Sequence, residues 1–534
     1  MKKKINLTIL FLFFTFLIYG YPFFGGFYLT DNNWTREKFT TLNILSFYIE
    51  NKFNEHLLLY GRITAGFRYD AFFPKIVGDQ TIYYPNNSIT NFSVIPNIDL
   101  LYLEFRTGKS TVSPLIKETE GEFNADIFGF RIGRIYVNFM RGFLFTMRGD
   151  GIESVSSYKN FRMRFFAVSN SLDYLPLFDF ADGSCNPVFT RWDTKRMPKL
   201  SNLLMEGYEQ GFMSDYTKDE YNFYFNVDET TDYSAKDKEK LNNLRKFSVI
   251  AGRVFSGLSF EFLQVGYQNI SFGLLANIDL IPEEFVLTFP SKLNNIANTF
   301  GGRYTSFYAD FNINGKIYKN LYYNFDIAYE TGFNATYYDD GSTAFIKYEA
   351  IHSFGFLFNI SYYFSHITKP IISFDVMYGH GDSDVEFKNG TIVNKEGFDF
   401  SFKSPNSTKI GYAADADLSN LLVFSISNSI KPLSAIKNEI FSRFFLKSVL
   451  YLLLRPNIEG ATFISEKSEY VKGGIKEKSP EKFYLGTEID IELAWAIFSD
   501  LNISLKGGIF IPNYAIYDKN DILWKVGLSM NISF

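Results

Sequence analysis

The amino-acid sequence predicts an all-β chain: one transmembrane antiparallel β-barrel of about 16–18 strands. Three observations carry this. Aromatic residues make up 19 % of the chain, yet the mean hydropathy is only −0.07, so apolar residues are interleaved with polar ones rather than gathered into blocks. From residue 39 onward, segments alternate large apolar with polar or small residues, the period that sends successive strand side chains to opposite faces. Many segments run about ten residues or more, near the roughly 9–11 that a tilted membrane strand needs, whereas soluble strands usually stop at about five or six.

Taken in order, the chain opens with Lys2, Lys3 and Lys4 and an apolar run from Ile5 to Ile18. This reads as a signal peptide over residues 1–20, with a cut near Gly20 and the barrel over 21–534. The run is short of the roughly 20 residues of a spanning helix, and no later stretch reaches about 18 apolar residues. No cysteine follows the run, which argues against a lipoprotein. Cys185 is the single cysteine, so intrachain disulfides and Cys/His zinc spacings are excluded. Net charge is −5 and no Lys/Arg-dense stretch occurs, which excludes the basic stripe of a nucleic-acid binder.

The clearest strand is the last. Trp524, Val526, Leu528, Met530, Ile532 and Phe534 fall on one face, and Lys525, Gly527, Ser529, Asn531 and Ser533 on the other. Phe307, Ala309, Phe311 and Ile313 repeat the pattern, as do Ile489, Ile491, Leu493 and Trp495. Counting back from Phe534, connections alternate between short and long, as periplasmic turns and extracellular loops do. Loops are placed at about 512–521, 456–481, 381–395, 335–343 and 276–301, and short turns at 498–501, 365–370 and 315–320, with Gly257 in a further tight turn. Residues 432–441 form an intermediate connection. Residues 70–95 fit less well, coming out as a long connection on the periplasmic side. The largest interruption, about 171–245, holds Cys185, Trp192 and an acidic tract; such length without strand periodicity is usually functional or disordered.

Register decides which way charges face. In Arg62, Thr64, Gly66 and Arg68, and in Arg162 and Arg164, the opposite parity is apolar. Turning these arginines to lipid would cost roughly 2–4 kcal/mol each near the midplane, so they are assigned to the lumen. Arg131 and Arg134 differ in parity, which suggests a bulge near Gly133. Carboxylates dominate later strands: Asp310, Asp326, Glu330, Asp415, Asp417, Glu488, Asp490 and Glu492. The expectation is a lumen with a basic and an acidic sector, which set selectivity in water-filled pores. The competing account is that arginines and carboxylates pair as structural salt bridges.

The segment FGFRIGRIYVNFMRGFLFTMRGDG (128–151), with Gly133-Arg134 and Asp150-Gly151, resembles outer-membrane porin-like proteins, most of all the alginate-export type of channel. LGTEIDIELAW (485–495) and GGIFIPN (507–513) resemble their penultimate strands. The terminal WKVGLSMNISF resembles the signal by which the barrel-assembly machinery recognises its clients, carried by Trp524, Val526, Leu528, Met530, Ile532 and Phe534. The resemblance implies a single barrel in the bacterial outer membrane, passive transport, and a basic constriction suited to acidic solutes. Ile135 stands after Arg134 where many such proteins have a polar amide.

The four histidines, His56, His352, His366 and His380, form no triad legible in sequence. Asp382, Asp384 and Glu386 alternate without the twelve-residue spacing of an EF-hand loop and read as an exposed acidic loop. No cofactor fingerprint occurs. The sequence therefore predicts a porin-like, non-enzymatic channel whose partners are outer-membrane lipid, the assembly machinery and small solutes. The alternatives are a barrel that displays loop 171–245 for adhesion, and an outer-membrane hydrolase. The patterns are common to monomers and trimers.

Overall fold

The computed structural model describes residues 21–35, 38–72, 75–77, 80–82, 90–107, 125, 127–140, 143–169, 253–279, 303–339, 344–382, 386–388, 391–393, 398–405, 410–436, 438–458, 460, 462, 483–498, 500–513 and 522–534. Residues 1–20, read from sequence as a signal peptide, and residues 171–245, read as a loop and holding Cys185, lie outside them.

Eighteen strands close into one barrel. In chain order they are β1 (Tyr21–Thr35), β2 (Lys38–Lys52), β3 (Leu57–Phe72), β4 (Thr90–Thr107), β5 (Phe128–Phe139), β6 (Phe145–Tyr158), β7 (Phe161–Ser169), β8 (Arg253–Val265) and β9 (Gln268–Asp279). Then follow β10 (Arg303–Tyr318), β11 (Leu321–Asp339), β12 (Ala344–Tyr363), β13 (Ile371–Gly379), β14 (Leu421–Ile430), β15 (Phe444–Leu454), β16 (Tyr484–Ala496), β17 (Leu501–Pro512) and β18 (Leu523–Ser533). Each pairs antiparallel with the next, and β18 returns to β1, with Phe27 opposite Ser533 and Thr35 opposite Lys525. Closure removes the free edge, so every strand finds its backbone partners within the wall, the condition for a sheet to sit in lipid. The final residue helps: Gly26 N–H donates to the Phe534 carbonyl at 2.8 Å and Phe534 N–H to the Gly26 carbonyl at 2.9 Å.

With an even strand count, both termini lie at one end. That end carries the tight connections 159–160, 266–267 and 319–320, and the opposite end carries 170–252, 280–302, 380–420 and 455–483. Strand β1 was not foreseen in the sequence, where the alternation became clear only at residue 39. Further along the chain, four strands, β4 to β7, separate connection 73–89 from 170–252, so 73–89 belongs to the long-loop end, not to the short-turn end. Two further corrections concern glycines. Gly257 is in mid-strand in β8, where an added Cβ would lie 2.2 Å from the Phe166 ring, and the turn is at Gly266, which has φ +68°. No bulge occurs at Gly133, where the pairing of β5 with β6 runs without a register shift.

Pleating sorts the side chains. Outward positions are apolar, among them Ile63, Leu274, Ile426 and Ile491, as contact with hydrocarbon requires. The short-turn end bears an aromatic girdle: Tyr158, Tyr267, Tyr318, Tyr362 and Tyr363 are exposed, and Lys159 and Lys319 sit over the rings of Tyr158 and Tyr318. Such rings suit the headgroup layer. In the last strand, Trp524, Val526 and Leu528 are exposed and face out, with Met530 and Ile532 on the same parity. Inward positions hold the polar and charged residues.

Candidate functional site: a constriction built from two inward segments

The first inward segment is the tip of the β5–β6 hairpin. Pairing of β4 with β5 ends at Leu101 opposite Arg134, and pairing of β6 with β7 ends at Asp150 opposite Ser169. Beyond these points the hairpin leaves the wall. Two glycines paired across the hairpin, Gly133 and Gly151, sit at the departure. Gly133 has φ +130°, and a Cβ there would stand 2.2 Å from the Leu101 carbonyl oxygen; at Gly151 it would stand 2.0 Å from that of Ala167. Only glycine allows this approach.

The tip lies along the inner surface of the wall. Phe139 and Phe145 pack on Phe166 of β7 at 5.3 and 5.4 Å between ring centroids, and Phe145 on Phe255 of β8 at 4.6 Å. Phe139 and Met140 fill the space over Gly273 of β9. Ile135, Val137, Phe139, Phe145 and Met147 are almost wholly buried on this face. The opposite face carries Arg134, Tyr136, Asn138, Thr146, Arg148 and Asp150, all partly accessible. Arg148 lies 5.9 Å from the centre of the Tyr136 ring, and Arg134 Nη1 is 4.0 Å from Asp150 Oδ2. A hairpin with its apolar face on the wall turns this polar face to the channel.

The second inward segment is 398–420, between β13 and β14. In the sequence Asp415 and Asp417 read as strand residues, and the loop ended near 395. The structure corrects both: Phe398 and Asp399 pair in parallel with Ala350 and Ile351 of β12 at the wall, and 400–405 and 410–420 fold inside the barrel. Phe402 fills the space over Gly355 of β12 and stacks on Phe143 of the hairpin tip, 6.5 Å between centroids. Ser404 Oγ donates to the Leu144 carbonyl at 3.1 Å, so the two segments brace each other. Asp382, read from sequence as exposed, is buried and accepts from Phe400 N–H at 2.9 Å.

Carboxylates of the wall grip this segment. Glu330 of β11 accepts from Tyr308 OH at 2.9 Å, Ser353 Oγ at 2.7 Å and Lys403 N–H at 2.8 Å. Glu488 of β16 accepts from Ala413 N–H at 2.6 Å and Ala414 N–H at 3.0 Å, and Asp490 from Tyr412 N–H at 3.0 Å. Tyr412 OH donates to Asn33 Oδ1 of β1 at 2.6 Å, and Lys525 Nζ stands 4.5 Å from the centre of its ring. Burial, together with Asp31 and Asp490, raises the Tyr412 pKa above the usual phenol range, so the hydroxyl keeps the proton it donates. Gly508 and Gly527 leave room for this side chain: a Cβ at Gly527 would be 2.1 Å from its hydroxyl. Gly411 has φ +77° and presses on Glu488, a second position where only glycine fits.

The remaining predicted residues divide by partner. Arg131 donates from Nε to Glu153 Oε2 at 2.6 Å and to the Tyr136 carbonyl at 2.5 Å. Arg164 lies 3.6 Å from Glu153 Oε1 and donates to the Asn138 carbonyl at 2.8 Å. Both arginines are buried and hold the hairpin tip, so they do not face the channel. Arg162 pairs with Glu261 of β8 at 3.1 Å. Arg62 faces inward with its guanidinium 5.7 Å from the centre of the Phe27 ring. The side chain of Arg68 lies outside the described residues. Asp310 and Asp326 are buried, and Asp326 accepts from Asn312 at 2.9 Å. Glu492 is partly accessible, 3.7 Å from Lys506. Sequence reasoning passed over Arg148, Tyr136, Tyr412 and Lys403. The signals were a glycine pair inside two strands and a proline- and serine-containing stretch without alternation after residue 400. Among the described residues, His352 bonds Tyr329 OH at 2.9 Å on the outer surface, and His366 bonds Thr368 at 2.9 Å in a turn, neither in a catalytic arrangement.

No family model matches the chain, and no curated protein matches it. Among solved structures it is similar to Pseudomonas aeruginosa OccK7 (OpdD), with 9 % identity over 96 % of this chain and 97 % of that one, TM-score 0.43. It is also similar to OprD of the same organism, with 7 % identity over 96 % and 95 %, TM-score 0.43. A third is the P. aeruginosa outer membrane protein opdK, with 8 % identity over 96 % and 99 %, TM-score 0.40.

Proposed function

We propose that the protein is a porin-like channel of the bacterial outer membrane, reached by signal-peptide-directed export, through which small solutes, acidic ones preferentially, diffuse passively. The observation that carries this is the two-faced hairpin tip: its apolar face is spent on the wall, and its other face holds Arg134 and Arg148 beside the inner braces. A closed wall with a polar interior supplies the path, and the inward segments narrow it. Guanidinium groups in a narrow, low-dielectric passage attract carboxylates far more strongly than they would in bulk water. The Gly133-Arg134 and Asp150-Gly151 pairs mark the place where the hairpin enters the lumen and set Arg134 on its accessible face.

The test is conductance of the refolded protein in a planar bilayer, with selectivity from the reversal potential under a salt gradient. Discrete steps with anion preference are expected, with the preference falling in Arg134→Ala and Arg148→Ala. A folded barrel without steps would sink the channel reading. Steps whose selectivity is indifferent to both changes would sink the role of the hairpin.

A further inference from the structure

One stretch of the outer surface breaks the apolar rule. On β1 and β2 the outward positions between Phe24 and Trp34, and between Phe47 and Phe39, include Tyr28, Thr30, Asn32, Thr41 and Asn43. Phe24 and Phe47 mark the short-turn side of the lipid band, being 68 % and 54 % exposed, and the Trp34 and Phe39 rings meet at 5.0 Å between centroids on its other side. The polar residues are therefore at mid-depth. On the adjacent β18, Leu528 and Met530 occupy the same height, opposite Asn32 and Thr30. Elsewhere among the described residues, no two neighbouring strands set asparagines at mid-depth on this face.

The side chains bond to one another. Thr41 Oγ1 donates to Asn32 Oδ1 at 2.6 Å, Asn32 Nδ2 to Thr30 Oγ1 and to the Leu528 carbonyl, each at 3.3 Å, and Tyr28 OH to Asn43 Oδ1 at 2.6 Å. The Asn43 amide NH₂ has no partner among the described residues. Hydrocarbon offers it none, and an amide left in hydrocarbon without a partner is costly. Between membrane-embedded elements, such groups act as association points.

We infer that the outward face of β1–β2 is an interface with a second copy of this chain. The depth of the patch selects the partner. A soluble protein cannot reach mid-membrane, and lipid headgroups lie at the band's edges. Two copies inserted the same way up present identical residues at identical depth, so the Asn43 amide of one copy meets the Asn43–Asn32 patch of the other. The patch is neutral and offers donors and acceptors together, which makes it complementary to itself, as an interface between like surfaces requires.

The test uses the full chain with Cys185→Ser, carrying Asn43→Cys on this face or, as a control, Ile426→Cys on β14. Cross-linking with a short bismaleimide in outer membranes should give a dimer band at position 43 and none at 426. In mild detergent, the unlabelled protein should elute at a multiple of the chain mass, and Asn32→Leu/Asn43→Leu should elute as a monomer while retaining the gel mobility of a folded barrel. Equal cross-linking at both positions, a monomeric parent protein, or an unchanged oligomer in the leucine variant would each overturn the inference. Should the leucine variant fail to fold, the cysteine pair decides alone.

Discussion

The sector β5–β8 and the sector β10–β17 both carry buried charges, yet they use them differently. In the first, arginines and carboxylates meet across neighbouring strands: Glu153 lies between Arg131 and Arg164, and Arg162 pairs with Glu261. In the second, Glu330, Glu488 and Asp490 take backbone N–H groups of an inserted segment. The lesson is that carboxylates on an inward face can hold a docked chain through its backbone N–H groups rather than line an acidic wall. A buried carboxyl group that accepts several N–H or O–H bonds has its hydrogen-bonding needs met without a guanidinium.

The contrast can be broken by experiment. Glu153→Ala leaves two buried guanidiniums facing each other, and removing one partner of a buried pair typically costs about 3–5 kcal/mol. Urea unfolding in lipid vesicles should show that loss, and a cost under about 1 kcal/mol would mean that the first sector is not held by its ion pairs. Glu488→Ala orphans two amides of the inserted segment, at roughly 1–3 kcal/mol. Its signature should be different in kind, with larger and noisier conductance steps as 410–414 detaches; unchanged steps would show that the segment is held without the carboxylate. Lys506→Ala disturbs only an accessible pair, 3.7 Å from Glu492 with side chains 48 % and 32 % exposed. It should cost under about 1 kcal/mol and move the reversal potential slightly toward cation preference. A stability loss matching that of Glu153→Ala would erase the distinction between buried and channel-facing pairs.

Much of this was legible in the sequence, and the reason is specific. Alternation at period two is a local property, so the faces of β10, β16 and β18 can be read from Phe307–Ile313, Ile489–Trp495 and Trp524–Phe534 without knowing what they touch. The upper strand count of 18 follows from the same pattern once β1 is included. Strand β1 itself was hidden because its outward positions are Tyr28, Thr30 and Asn32, which blur the contrast between faces.

By itself the sequence determined a membrane barrel, because lipid outside and water inside impose an alternation that no single residue can escape. Only the tertiary structure decided what the inward charges do. Arg131 and Arg134 lie three positions apart in the same strand; one braces the hairpin against Glu153 and the other stands on its polar face. The bend at Gly133 and Gly151 separates their fates, and that bend depends on where the wall ends, a contact between strands rather than a property of either one. The same holds for Asp415, Asp417 and Tyr412. Nothing local distinguishes a segment folded into the lumen from one in the wall, because the difference lies in which carboxylates, Glu330 or Glu488, reach its backbone.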